Sequence, residues 1–281
     1  MDVVLSDNQL QALLADDVPY GDLTSQSLPL SSAPAWMHFY ARAAMTVCGT
    51  EEVARLCQLL GLSPELHAPS GQVAPPGTLL LAVQGEPVTL LKLWKASQIL
   101  LEWAAGLASA TAEIVAAAGG VPVACTRKQT PGSKAMSVKA VRAGGGIVHR
   151  LGLSESLLLF AEHRQFLAEA PEVTLARLAR QHPEQRRSVE VHDLVDARTW
   201  IAAGAEMLQL DKFSPSEVVQ CLALCQELGR RPLIAAAGGV NAGNAGAYAA
   251  AGADLLVTSA PYWAKPRDVQ VHFTPAAEAG L

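Results

Sequence analysis

The sequence predicts a two-domain α/β protein: an N-terminal α/β sandwich over residues 1–106 and an incomplete, TIM-like α/β barrel over 107–267. The tail 268–281 is able to return to the first domain. Three observations carry this. From Val121 onward, short apolar runs alternate with helical patterns, the signature of a parallel sheet covered by helices. No dinucleotide-type glycine fingerprint opens any of these units, which fits a barrel better than an open, doubly wound sheet. The first hundred residues instead hold short strand-like runs around a single amphipathic helix.

Taken in order, Ser6 or Asp7 caps a short helix through Leu14, and Asp16 to Thr24 is a turn-rich loop. Trp36 to Arg42 and Met45 to Cys48 suit strands, and Glu51 to Leu60 suits a helix ended by Gly61. Pro75-Pro76-Gly77 marks a turn before a strand from Thr78 to Val83. Leu90 to Ala118 reads as a long helix. The barrel strands are then Val121–Cys125, Leu157–Phe160, Ser188–Val191, Met207–Leu210, Leu233–Ala237 and Asp254–Thr258. The helices among them are Pro171–Gln181, Asp193–Ala203, Ser214–Leu228 and Asn241–Ala251, the last with Asn241 as its N-cap.

Composition narrows the function classes. Half the residues are hydrophobic and 17% are charged, as in an ordinary globular protein. A net charge of -5 gives no reason to expect a nucleic acid or an anionic membrane as partner. MDVVLSDNQL lacks a basic region followed by an apolar run, so no signal peptide is read. Lys92, Lys95, Glu102 and Glu113 interrupt the long helix before it offers the roughly 18 uninterrupted apolar residues of a membrane span. The five cysteines have neither disulfide nor zinc spacing, so a reduced, cytoplasmic setting is expected.

Against that acidic background, Cys125 to Arg150 holds Arg127, Lys128, Lys134, Lys139, Arg142 and Arg150 and no acid. Such an island repels itself unless an anion sits there, although a solvated basic helix face would look similar. Gly132 and Gly144-Gly145-Gly146 would let backbone approach a ligand closely. Two strands end in acids, Glu190 and Asp211, on the same face of a barrel and suited to a metal carrying polyphosphate. The same two acids could simply balance Lys128 and Arg150. Gly238-Gly239 before a helix, together with Thr258 and Ser259 on the last strand, matches the phosphate cup of such barrels. Lys212 leaves open a Schiff-base lyase, and a non-catalytic binding protein is a third possibility.

TRKQTPG, from Thr126, followed by AVRAGGGIVHRLGLSES, from Ala140, resembles the core of the quinolinate phosphoribosyltransferase family. The similarity runs from Asp22 to about Asp268 and is nearest to the branch of that family associated with molybdenum transport. It implies transfer of phosphoribose from phosphoribosyl pyrophosphate to a small heteroaromatic acceptor, with Mg²⁺ and a homodimer or higher homo-oligomer. In that light Arg127, Lys128 and Arg150 would hold pyrophosphate and acceptor carboxylate, and His149 would orient, donate a proton or be structural. Glu190 and Asp211 would serve the metal and the ribose hydroxyls. Gly238, Gly239, Thr258 and Ser259 would hold the 5-phosphate. Lys95, Lys139 and Phe160 would face the acceptor, Lys95 standing where the family has an arginine that crosses a dimer interface. Phe160-Ala161 replaces a Lys-Asp pair of the family, and Trp103 replaces an arginine. The resemblance thus keeps the phosphoribosyl half of the site better than the acceptor half. An acceptor other than quinolinate is expected, quinolinate itself being the alternative.

Overall fold

The computed structural model describes residues 1–275 of the chain. Helix α1 (Asp7–Asp17) is capped by Ser6, which accepts from the Gln9 N–H, and α2 (Leu23–Ser27) is capped by Asp22. There follow β1 (Ala35–Ala41), β2 (Met45–Thr46), α3 (Thr50–Leu59), β3 (Ser63–Leu66), β4 (Val73–Ala74), β5 (Leu79–Gly85) and α4 (Pro87–Ala117). Next come β6 (Val123–Cys125), α5 (Lys134–Ala143), β7 (Ile147–Val148), β8 (Leu158–Leu159), α6 (Ala161–Arg164) and α7 (Pro171–Gln181). The chain continues through β9 (Ser188–Val191), α8 (Leu194–Ala203), β10 (Met207–Asp211), α9 (Pro215–Glu227), β11 (Leu233–Ala237), α10 (Ala245–Ala250) and β12 (Leu255–Thr258). A 3₁₀ turn (Ala260–Trp263) leads to β13 (Val269–Pro275).

Two compact units result. The first comprises Met1–Ala112, Thr130–Gly145 and the chain from Pro261 onward. Its antiparallel sheet runs β13-β1-β5-β3, with β2 and β4 paired separately. Strand β1 alternates, burying Met37, Phe39 and Ala41. The predicted return of the tail is described as far as Pro275, where β13 pairs antiparallel with β1; residues 276–281 lie outside the described part. Helix α4 is, by length and composition, apolar enough to cross a membrane. Its Leu90, Leu93, Leu101, Ala104 and Ala108 are buried inside the protein, so much of its apolar surface is taken up by packing. Gly106 and Gly144 are packing glycines. A Cβ on Gly106 would lie 2.5 Å from the Lys265 carbonyl oxygen, and one on Gly144 would lie 2.4 Å from that of Ala108. Gly144 therefore serves close approach of α5 to α4 rather than access for a ligand.

The second unit comprises Glu113–Gln129 and Gly146–Ala260. Its sheet has seven strands in the order β7-β6-β12-β11-β10-β9-β8, and every pairing is parallel. The two-residue β7, too short to show as an apolar run, is the strand that sequence reasoning missed. Side chains alternate across this curled sheet. Val189, Val191, Leu208, Leu210, Ile234 and Leu256 belong to the larger buried cluster, alongside Ala197, Trp200, Val218 and Tyr248 of the helices. Met207, Ala235, Ala237 and Val257 form a second cluster on the other face. That inner face is lined with small residues toward the strands' C-terminal ends, and this leaves room for a site.

Candidate active site

A cavity of about 240 Å³ opens in the second unit, lined by strand-end residues of β6, β8, β9, β10, β11 and β12. It gathers eleven of the predicted positions: Arg127, Lys128, His149, Arg150, Phe160, Glu190, Asp211, Gly238, Gly239, Thr258 and Ser259. Strand polarity explains this, since all these strands run parallel and end on one side.

Its cationic side is concentrated at β6 and β7. Arg150 is only 7% exposed, although no ion-pair partner is found for it among the described residues. Its guanidinium stacks over the Phe160 ring at 5.3 Å, so the residue expected to face the acceptor serves as a platform for the cation. Burial and the nearby Arg127 depress Arg150 below its ordinary value, while Glu190 pulls it the other way. His149 is half-buried, and burial together with Arg150 lowers its pKa, which favours neutral imidazole.

The acidic side is Glu190 and Asp211. Burial raises Glu190 above the usual carboxylate range; the hydrogen bond from Gln209 opposes this, and the neighbouring Asp211 adds to it. Gln209 Nε2 donates to Glu190 Oε2 at 2.7 Å. His192 stands between the two acids, with Nε2 at 3.8 Å from Glu190 and Nδ1 at 3.6 Å from Asp211. Arg164 holds the end of β9 by donating to the Glu190 carbonyl at 3.1 Å, and it is itself paired with Asp196 at 2.6 Å. Among the described residues no group of three or more His, Cys, Asp or Glu side chains is placed to hold a metal ion by itself. Two carboxylates on one wall suit a hard cation that takes its remaining ligands from substrate oxygens and water, as Mg²⁺ does. The donor set therefore fits the metal only in company with a polyphosphate.

At the phosphate cup the structure differs from expectation in two places. The helix after the glycines begins at Ala245 rather than Asn241, so Asn241 is not its N-cap. Asn241 accepts from Gly243 N, and Asn241 and Asn244 both donate to the Gly239 carbonyl, which turns the chain before the helix starts. The buried Thr258 hydroxyl donates to the Val240 carbonyl at 2.6 Å and accepts from Ala260 N, so its proton holds the loop together instead of facing a phosphate. Gly238 and Gly239 both have positive φ. A Cβ on Gly238 would lie 2.6 Å from Lys212 N, whereas the space around Gly239 is open for a ligand.

Lys139 and Lys95 are not in the cavity lining. Lys139 belongs to the first unit, where its buried ammonium contacts Glu51 at 2.9 Å and Glu52 at 2.6 Å. A carboxylate pair already neutralises it, so Lys139 is a structural residue and not a substrate ligand. Lys95 is exposed on α4, donates to Gln98 at 3.1 Å and lies 4.3 Å over the Trp94 ring. Lys212 has φ 62° and is exposed outside the cavity lining, so it lacks the desolvation that a Schiff-base amine needs. Sequence reasoning left out Gln209 and His192 as site residues. Alternation along β10 places Gln209 on the inner face with Asp211, and the same period carried one residue past β9 points to His192 beside Glu190.

Comparison with known proteins agrees with this architecture. The model of the quinolinate phosphoribosyl transferase C-terminal domain matches residues 107–272, and that of the N-terminal domain matches 22–105. A protein of Rhodobacter capsulatus named for pyrophosphorylase ModD is 47% identical over 249 residues, covering 86% of this chain and 95% of that one. A protein of Synechocystis named for carboxylating nicotinate-nucleotide pyrophosphorylase is 29% identical over 270 residues, covering 94% and 90%. The solved structure of NadC from Streptococcus pyogenes superposes with a TM-score of 0.86 at 25% identity, covering 96% of this chain and 97% of that one. The chain therefore belongs to the quinolinate phosphoribosyltransferase family, enzymes that transfer a phosphoribosyl group to an aromatic acceptor.

Proposed function

We propose that the protein transfers phosphoribose from phosphoribosyl pyrophosphate to a heteroaromatic acid other than quinolinate. The observation that carries this is the buried Arg150 beside Arg127 and Lys128, facing Glu190 and Asp211 across one cavity. The buried guanidinium of Arg150, with the exposed Arg127 and Lys128 at the same cavity, would stabilise the charge that develops on departing pyrophosphate. Glu190 and Asp211 would hold Mg²⁺, which when bound screens pyrophosphate charge. The same carboxylates can accept from ribose hydroxyls, while Gly239 and Ser259 leave backbone and hydroxyl donors for the 5-phosphate. Neutral His149 beside Arg150 is suited to orienting the acceptor acid. A diacid needs more cations than this cavity offers, because Phe160 and Ala161 supply no charge and Lys139 is committed to Glu51 and Glu52.

A homodimer and a cytoplasmic setting are proposed as well. A homodimer is supported by the apolar groove of about 760 Å³ in the first unit, lined among others by Leu13, Ile99, Trp103 and Met136, with Lys95 on the same helix. A cytoplasmic setting is supported by the burial of all five cysteines.

The test is calorimetric titration with phosphoribosyl pyrophosphate and Mg²⁺, followed by a mass-spectrometric screen of heteroaromatic acids for a nucleotide product. Absence of donor binding would refute the transferase. Quinolinate turnover near the enzyme median of about 10 s⁻¹ would favour the alternative, a quinolinate enzyme, to which the likeness to the Synechocystis protein points.

A further inference from the structure

Strand β10 carries one inward side chain that phosphoribosyl transfer leaves without a task. Met207, Gln209 and Asp211 alternate onto the same face, and Gln209 stands in register between Glu190 of β9 and Ala235 of β11. Gln209 is 6% exposed and lines the cavity. Its amide nitrogen donates to Glu190 at 2.7 Å. An ionised carboxylate can only accept, so this contact fixes the amide with its oxygen turned away. That oxygen, Oε1, is buried and has no hydrogen-bond partner among the described residues. Ala235 and Val257, the inward residues of the next two strands, have no side-chain donor to offer. Folded proteins rarely leave a buried acceptor unpaired, because its lost hydration is not recovered. The cavity thus has a cationic side rich in donors and a floor that presents acceptors alone.

Building on the transfer reaction proposed above, we infer that Gln209 is a specificity-determining residue whose Oε1 accepts a hydrogen bond from an N–H or O–H of the bound acceptor. The acceptor is then a heteroaromatic acid whose carboxylate faces Arg127 and Arg150 and whose other edge bears an amino or hydroxyl group. A second carboxylate on that edge would meet Gln209 Oε1 with no donor to offer it, so the same residue selects against diacids. A ribose hydroxyl of phosphoribosyl pyrophosphate could supply the same kind of donor, and the experiment separates the two sources.

Wild type and Gln209→Met, which keeps the side chain's length and removes its amide, are titrated calorimetrically with phosphoribosyl pyrophosphate and Mg²⁺. They are then titrated with nicotinate, 2-aminonicotinate, 6-hydroxynicotinate and quinolinate. For wild type, at least one donor-bearing acid is expected to bind about tenfold or more tightly than nicotinate, as a contact of about 1.4 kcal/mol requires. Quinolinate should bind worst. The variant should lose this preference and still bind phosphoribosyl pyrophosphate within about twofold of wild type. Weakened phosphoribosyl pyrophosphate binding with unchanged acid ratios would put the donor on the ribose and overturn acceptor selection. Unchanged binding of every ligand would overturn the inference altogether, leaving Oε1 to a water molecule. Failure of wild type to bind phosphoribosyl pyrophosphate would refute the transferase reading and the inference with it. Even if the variant does not fold, a wild type that binds nicotinate as tightly as every donor-bearing acid overturns the inference.

Discussion

At the scale of single residues, the two groups of cations face different fates. Arg150 is buried without an ion-pair partner among the described residues, so replacing it by Ala removes, besides its stacking on Phe160, the charge-assisted contact with ligand. Charge-assisted contacts are worth about 1.5–3 kcal/mol, and Arg150→Ala is expected to weaken phosphoribosyl pyrophosphate binding roughly 10- to 150-fold with little change in melting temperature. Calorimetry and a thermal melt on the same sample check both halves. Lys139→Met should do the opposite. It leaves Glu51 and Glu52 buried without their cation, costing about 3–5 kcal/mol of stability, and should leave ligand affinity unchanged in whatever folds. The pH dependence follows from the same cluster. Burial pushes Glu51 up, but hydrogen bonds from Ser70 and Lys139 outweigh it and hold the carboxyl at about 2. A depressed carboxyl stabilises the fold above its unfolded value near 4.5 and loses that contribution as pH falls toward 2. Melting temperature should therefore drop across that window, and Glu51→Gln should flatten the drop. The cation island from Cys125 to Arg150 was legible in the sequence as an anomaly. Its division into site cations and a structural lysine was not, because Glu51 and Glu52 lie far from Lys139 along the chain.

At the scale of elements, periodicity carried most of the reading. Ser188–Val191 and Leu233–Ala237 have the bounds their apolar runs predicted, and the α9 boundary follows from Ser214 capping with Glu217. Asn241 misled because an Asn before a helical pattern can close a turn as readily as cap a helix, and here it does the former. The glycine triplet misled differently. Gly144 suits a ligand cradle by composition, yet the Cα hydrogen that stands where a Cβ would be faces helix α4. Gly144→Ala would force α5 from α4 and, as an overpacking change, should cost about 1–3 kcal/mol. Gly239→Ala has open space around it, so what it costs in stability comes from its φ of 100° alone. Denaturant melts of the two variants distinguish a packing glycine from a conformational one.

At the scale of the molecule, the fold class was legible because strand and helix alternation is a whole-chain signal, whereas one long-range return of the chain was not. The first unit takes back residues 130–145 from the middle of the chain, and no composition change marks that return. A chain stopped at Asp268 should lose a strand from the first sheet, leaving β1 with an unpaired edge. Such a protein is expected to aggregate on expression, with reduced strand content by circular dichroism in the soluble fraction; full solubility with an unchanged melt would contradict this.

The pairing of β1 with β13 also sets an order of events in the cell. Ala35 pairs with Pro275 and Ala41 with Val269, so one edge of β1 waits for a partner that the ribosome delivers only after the entire second unit has emerged. At about 5–20 residues per second, the more than 200 residues between them take on the order of 10–45 seconds to synthesise. Throughout that interval β1 exposes backbone donors and acceptors that a neighbouring nascent chain can pair with. Chaperone occupancy during synthesis is thus expected to persist until the last strand appears, and slowing translation should lower the yield of this protein more than that of one whose N-terminal sheet closes locally.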